Sequence, residues 1–248
     1  MPSGREQLFL SARSEFRDGA AIRGGIPVIF PQFAAEGPLP RHGFARTAEW
    51  TVESVAQLSD GDASATLTLR DSTVSRTIWP HPFLATVAVR VGGTRLAVSL
   101  AVENVGDTPF SFTAALHSYL RVHQLRGAEL LGLHGRQYRE SSARTKLLFD
   151  HDEAVRVSGE VDRVYVDAPR RLALREPGRL LELEMVDFPD VVVWNPGPTR
   201  AASLSDMEPG GEQRMLCVEA AAVQQPVVLE AGSRWSGAQR FIASLDES

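Results

Sequence analysis

Phe83-Leu84-Ala85-Thr86-Val87-Ala88-Val89-Arg90-Val91, followed by Gly92-Gly93 and then Leu96-Ala97-Val98-Ser99-Leu100-Ala101-Val102, is the stretch on which the fold turns. Phe83, Ala85, Val87, Val89 and Val91 fall on one side of an extended chain, and apolar alternation with period two marks a strand with a buried face. Gly92-Gly93 is a two-residue hairpin signal, because primed turns need positive φ and glycine supplies it without steric cost. Leu96, Val98, Leu100 and Val102 resume the alternation until a turn over residues 104–109.

The same period extends in both directions. Upstream, Ala65, Leu67 and Leu69 alternate with Ser64, Thr66, Thr68 and Arg70. Residues 49–58 read as a further strand before the Ser59-Asp60-Gly61-Asp62 turn, and residues 7–11 as a short one near the start. Downstream, Phe110, Phe112, Ala114 and Leu116 alternate toward His117. Shorter segments of the same kind cover 163–166, 171–174, 180–186, 191–194, 216–220, 227–229 and 236–243. Nothing between them carries the long 3.6-residue period that a crossover helix requires. The expected fold is therefore all-β, a large antiparallel β-sandwich with few short helices, built as one domain over residues 1–248.

Composition excludes several classes. The 248 residues are 43% hydrophobic and 23% charged, with a net charge of −5, so bulk electrostatics favour neither nucleic acid nor an anionic membrane. Cys217 is the only cysteine, which leaves no internal disulfide and no Cys-based zinc site. Met1-Pro2-Ser3-Gly4-Arg5-Glu6 has no apolar signal core and no run approaches membrane-spanning length, so a cytoplasmic protein is expected, a monomer by default.

Chemistry concentrates in a few places. Arg23-Gly24-Gly25-Ile26-Pro27, the run Val28-Ile29-Phe30-Pro31-Gln32-Phe33, and Pro40-Arg41-His42-Gly43-Phe44-Ala45-Arg46 set three guanidiniums and an imidazole on Gly/Pro-punctuated backbone. Arginine's planar fork suits phosphate or carboxylate oxygens. Ile26, Val28, Ile29, Phe30, Phe33 and Phe44 anchor the loop to a core, which favours a preformed anion and polyol pocket over a solvated surface loop. His117 lies off the Phe110/Phe112/Leu116 face and can exchange a proton near neutral pH; a satisfied core histidine is the competing reading. Glu219 sits in the apolar run Met215-Leu216-Cys217-Val218-Glu219-Ala220-Ala221-Ala222-Val223, where a carboxylate is costly unless paired or protonated; an arginine-held strand end is its alternative. Asp162 precedes a strand as either a second acid or a turn residue, and Trp194 either stacks on a sugar ring or packs. The other histidines lack ligand spacing. No metal site, P-loop, dinucleotide fingerprint or nucleophile elbow is present.

Together these motifs resemble the hexose-6-phosphate mutarotases (glucose-6-phosphate 1-epimerases) of the aldose 1-epimerase superfamily. The matching pieces are R-G-G-I-P-V-I-F-P-Q-F from Arg23, H-G-F-A-R from His42, A-L-H-S-Y-L around His117, D-R-V-Y from Asp162, V-W-N-P from Val193 and C-V-E-A from Cys217, in family order across nearly the whole chain. The resemblance implies a galactose mutarotase-like supersandwich with no metal and no cofactor. It implies His117 and Glu219 as the catalytic pair, facing each other across a cleft, with Glu219 as carboxylate base and protonated His117 as acid. Arg23, Arg41, His42, Arg46 and Asp162 would bind the phosphosugar. Three departures stand out. Arg41 occupies a position where members acting on sugar phosphates commonly have glutamine, Gly197 follows W-N-P where an aromatic is usual, and the lead-in before Arg23 is shorter than typical, which implies a shortened N-terminal edge. A non-catalytic carbohydrate-binding domain on the same fold, or a mutarotase of an unphosphorylated aldose, are the competing functions.

Overall fold

The computed structural model describes residue 4, residues 6–141, residue 143 and residues 145–245. Met1–Ser3 and Arg5, which belong to the segment without a signal core, lie outside the described residues. Among the described residues the strands form two antiparallel sheets. One runs in the order Val28–Ile29, Phe110–Leu116, Met215–Leu229, Asp190–Asn195, Val161–Tyr165, Gln137–Glu140 and Leu148–Phe149, with Tyr119–Arg121 also paired to Met215–Leu229. The other runs Ala154–Val155, Glu129–Leu131, Arg171–Glu176, Arg179–Val186, Arg234–Ser244, Arg95–Asn104, Phe83–Gly92, Ala63–Arg70 and Thr51–Gln57. This is the expected all-β sandwich. No helix among the described residues is long and apolar enough to cross a membrane.

Alternation decides which side chains fill the space between the sheets. Leu216, Val218, Ala220 and Ala222 of one strand point inward to meet Phe83, Leu100, Leu181 and Phe241 in the main core. Their neighbours Met215, Cys217, Ala221 and Val223 point to the opposite face, where they join Ile29, Phe33, Tyr119, Val192 and Trp194 in a second buried cluster. A strand buried on both faces reads as a continuous apolar run, and that is how residues 215–223 read. The second cluster is roofed by the loop after Val28–Ile29 and by the helix Gly197–Ala201.

Phe30 holds that loop down. It is fully buried, with the rings of Phe83, Phe112, Trp79 and Phe44 edge-on at 5.2, 5.3, 5.4 and 6.3 Å. An anchor of this kind is worth about 3–5 kcal/mol on truncation. The loop returns at Gly43, whose φ is 67° and where a Cβ would lie 2.1 Å from the Phe30 carbonyl oxygen, so only glycine fits.

Four local readings need correction. Residues 7–11 form no strand: Leu8 and Leu10 make only isolated bridges, to Leu120 and Gly24, while Phe9 plugs the second cluster. Gly92 pairs with Arg95, so the hairpin turn is Gly93-Thr94, one residue later than Gly92-Gly93. Segments 216–220 and 227–229 are parts of one strand whose register shifts between Ala222 and Val227; the Asp190 carboxylate accepts the Val223 and Gln224 N–H groups at 2.9 and 2.8 Å there. A short helix, Thr73–Ile78, has no counterpart in the sequence reading, although Ser72 and Ser75 cap it reciprocally.

Candidate active site

Cross-strand register builds the site on the outer face of the first sheet. Asp162 stands opposite Trp194, Trp194 opposite Cys217, and Cys217 opposite Tyr119, which gives one row of side chains. The next row holds Val164, Val192 and Glu219. His117 adjoins Glu219 because the strand Phe110–Leu116 ends where its own N–H turns to the Pro27 carbonyl. Arg23, Arg41, His42, Arg46, His117, Asp162 and Glu219 all line a single cavity of about 260 Å³, closed by Phe33, Ala34, Trp194, Arg200 and Leu204. Two larger grooves, of about 530 and 740 Å³, lie away from these residues.

His117 Nε2 lies 3.3 Å from Glu219 Oε1, and both side chains are buried. The expectation that they face each other across a cleft is wrong in detail: they sit side by side on the cavity floor. Among the described residues nothing bonds to His117 Nδ1 or Glu219 Oε2. The imidazole stacks on Tyr119, centroids 4.7 Å apart and planes 11° from parallel, with Trp194 and His42 edge-on at 5.8 and 5.9 Å. The Tyr119 hydroxyl accepts from Arg23 Nη1 at 3.0 Å, and Arg23 also grips Asp206 through Nε at 3.2 Å and Nη2 at 3.1 Å.

The other guanidiniums are less well compensated. Arg46 donates to the Arg41 carbonyl at 3.2 Å, and the Arg41 side chain has no bonded carboxylate among the described residues. Arg200 pairs with Glu160 at 2.8 Å. His42 accepts the Ala34 N–H on Nδ1 at 3.3 Å, which leaves its proton on Nε2. Asp162 accepts from the Ser141 hydroxyl at 2.5 Å.

Burial governs the protonation of the pair. It pushes the Glu219 carboxyl well above the usual carboxylate range; nearby Asp162 adds to this and Arg41 opposes it. Burial also lowers the His117 imidazole to about 3, helped by Arg23, Arg46 and Arg41. Burial thus acts on both groups in the direction of their uncharged forms, against the imidazolium and carboxylate expected from sequence. Burial raises Asp162 as well and drives His42 down to about 2, with His117 and the arginines pushing the same way.

The His42 shift has a sign that can be measured. Its folded value lies below that of an unfolded histidine, so the unfolded chain takes up the proton first as pH falls below about 6.5. Stability from a neutral His42 is present above that pH and is lost on the way down, by about 2 kcal/mol between pH 7 and pH 5. Glu219 works in the opposite sense, because its raised value costs stability as pH rises through the range above an unfolded carboxylate. Urea unfolding of the wild type and of His42→Gln at both pH values isolates the histidine: the wild type's advantage is expected to shrink by that amount toward pH 5.

His117 Nδ1 or Nε2, Cys217 Sγ and a Glu219 oxygen lie within 4.8 Å of one another, the one group among the described residues that could hold a metal ion. The guanidiniums lining the same cavity oppose a cation there. Sequence reading missed Tyr119, Ser141, Arg200 and Asp206. Nothing marks Arg200 among so many arginines, whereas Tyr119 could have been found from its place two residues beyond His117 on the same face. Gly197, with φ 61°, brings its backbone so near residue 160 that a Cβ would meet the Glu160 nitrogen at 2.5 Å, so an aromatic has no room there.

The sequence model of the family described as aldose 1-epimerase matches residues 5–241. Two relatives carry the name "Putative glucose-6-phosphate 1-epimerase". The one from Cenchrus ciliaris is 33% identical over 244 residues, 95% of this chain and 74% of its own. The one from Escherichia coli is 34% identical over 226 residues, 89% of this chain and 74% of its own. A crystal structure from Salmonella typhimurium, described as a "putative mutarotase", superposes with a TM-score of 0.90 at 28% identity, covering 99% of this chain and 83% of that one.

Proposed function

Because this chain belongs to the aldose 1-epimerase family, we propose that it is an isomerase that interconverts the α and β anomers of a hexose 6-phosphate, glucose 6-phosphate first among them, acting in the cytoplasm. The observation that carries the reading is the 3.3 Å contact between His117 and Glu219 on the floor of a guanidinium-lined cavity. Anomer exchange needs one group to take the proton of the C1 hydroxyl and another to give a proton to the ring oxygen. Both oxygens are bonded to C1, so the two groups must converge on one centre, each within hydrogen-bond reach of its own oxygen.

In this reading Glu219 takes the hydroxyl proton as His117 protonates the ring oxygen. The bond from C1 to the ring oxygen breaks, and an aldehyde forms. Rotation about C1–C2 presents the other carbonyl face, and closure returns each proton to its source. Arg23, Arg41 and Arg46 hold the phosphate by charge-assisted hydrogen bonds. That grip keeps the open chain bound while its other end turns. Asp162, steadied by Ser141, takes a sugar hydroxyl, and His42 offers its Nε2 proton to another.

Magnetisation-exchange NMR on glucose 6-phosphate is the direct test. Exchange between the anomer signals is expected to be faster with the protein than without it, and glucose, galactose 6-phosphate and mannose 6-phosphate rank the substrates. Binding of every hexose phosphate with no acceleration of any would make the chain a carbohydrate-binding domain instead.

A further inference from the structure

We infer that Arg139, which does not line the cavity, is a positioning residue: it clamps the loop over residues 34–42 and so holds Arg41 and His42 ready for a phosphorylated sugar. This rests on the function proposed above and adds a residue to it. Register places Arg139 in the site's own sheet. It stands opposite Val164, Val164 opposite Val192, and Val192 opposite Glu219, so Arg139 and Glu219 share one row, three strands apart. At the usual strand spacing that is about 14 Å. Its effect on the chemistry must therefore run through what it holds.

The Arg139 side chain is 2% exposed, and all three guanidinium nitrogens are engaged. Nη1 and Nη2 meet Glu36 Oε1 and Oε2 at 3.0 Å each, and Nε donates to Gln224 Oε1 at 3.0 Å. Gln224 is itself fixed, since its N–H donates to Asp190. Glu36 is the loop's grip on this row, for its neighbours Ala35, Gly37, Pro38, Pro40 and Arg41 are exposed.

Within the loop, the Gln32 amide donates to the Ala34 and Leu39 carbonyls and accepts the Leu39 N–H. The His42 N–H donates to the Ala34 carbonyl at 2.8 Å and closes the neck. Both ends of that neck are left-handed, with φ 48° at Ala34 and 67° at His42. A residue with a Cβ is strained there, and such strain persists only where the surroundings over-determine it. The Glu36–Arg139 pair supplies the constraint from outside. The choice of an ion pair points the same way. Buried charges add little net stability over apolar groups of similar size. What they add is geometry, because a guanidinium fork takes a carboxylate in one orientation.

Two variants test the clamp: Glu36→Gln, and Arg139→Met/Glu36→Leu, which leaves neither charge unpaired should the first fold poorly. In both, KM for glucose 6-phosphate is expected to rise roughly tenfold, the effect of a loop in its binding conformation about one-tenth of the time. Meanwhile kcat should stay within about twofold, because His117 and Glu219 stand on the sheet and not on the loop. Amide hydrogen exchange reads the loop without reference to activity. The Ala34 and His42 amides, bonded across the neck, should exchange about tenfold faster in the variants, with the Glu219 amide unchanged. A merely structural role would lower the urea midpoint and leave KM alone. Unchanged KM in a folded variant overturns the inference, as does a fall in kcat as large as the rise in KM. If the wild type exchanges no hexose phosphate, the proposed function falls instead, and the calorimetric Kd for glucose 6-phosphate replaces KM in the same comparison. A wild type that does not bind that sugar overturns both.

Discussion

Glu219→Gln is expected to lower kcat for anomer exchange about a thousandfold, the middle of the range for losing one member of an acid–base pair, or about 4 kcal/mol of barrier. The fold should survive. Glutamine has the shape of the carboxyl it replaces, and that carboxyl already lies in a pocket that disfavours its charge. The amide can still meet His117 Nε2 at the present 3.3 Å spacing. What it cannot do is take a proton from the C1 hydroxyl. Circular dichroism and urea unfolding should match the wild type while the NMR exchange rate collapses. Wild-type exchange in a folded Glu219→Gln protein would take the residue out of the mechanism. His117→Ala is a rougher probe, because it also removes the ring that stacks on Tyr119.

Arg46→Ala carries the second large effect, expected to fall on phosphorylated substrate alone. A hydrogen bond to a charged group is worth about 1.5–3 kcal/mol, which predicts a fall of roughly tenfold to a hundredfold in kcat/KM for glucose 6-phosphate. Glucose, with nothing to present to that guanidinium, should lose no rate and gain some if the arginine field restrains His117. Arg46 is the cleaner probe. Arg23→Ala would also release Tyr119 and Asp206, and so confuse binding with local collapse. Equal losses for both sugars would show that Arg46 shapes the cavity without reading phosphate.

The strands with regular alternation could be read directly. Residues 63–70 and 110–116 emerge as the strands Ala63–Arg70 and Phe110–Leu116, because burial of one face writes a period of two into the chain. Strands such as Glu129–Leu131 and Leu148–Phe149 are too short to show any period, and they form only because neighbours already in place offer them an edge. The turn at Gly93-Thr94 is displaced by one residue for a related reason. Either glycine allows the required dihedrals, and the pairing of Gly92 with Arg95 decides between them.

At the site, sequence by itself determined which residue types were available: arginines on a rigid Gly/Pro loop, a histidine at a strand end, and a glutamate where nothing else is polar. Those follow from local chemistry, since a charge inside an apolar run is anomalous wherever the run ends up. Only tertiary structure decided that Glu219 and His117 are adjacent on one floor, that Arg200 and Asp206 join them, and that burial disfavours the charged form of each. Distances between strands remote in sequence, and the sum of charges from several loops acting on one buried imidazole, are properties of the packed chain and are written in no single segment of it.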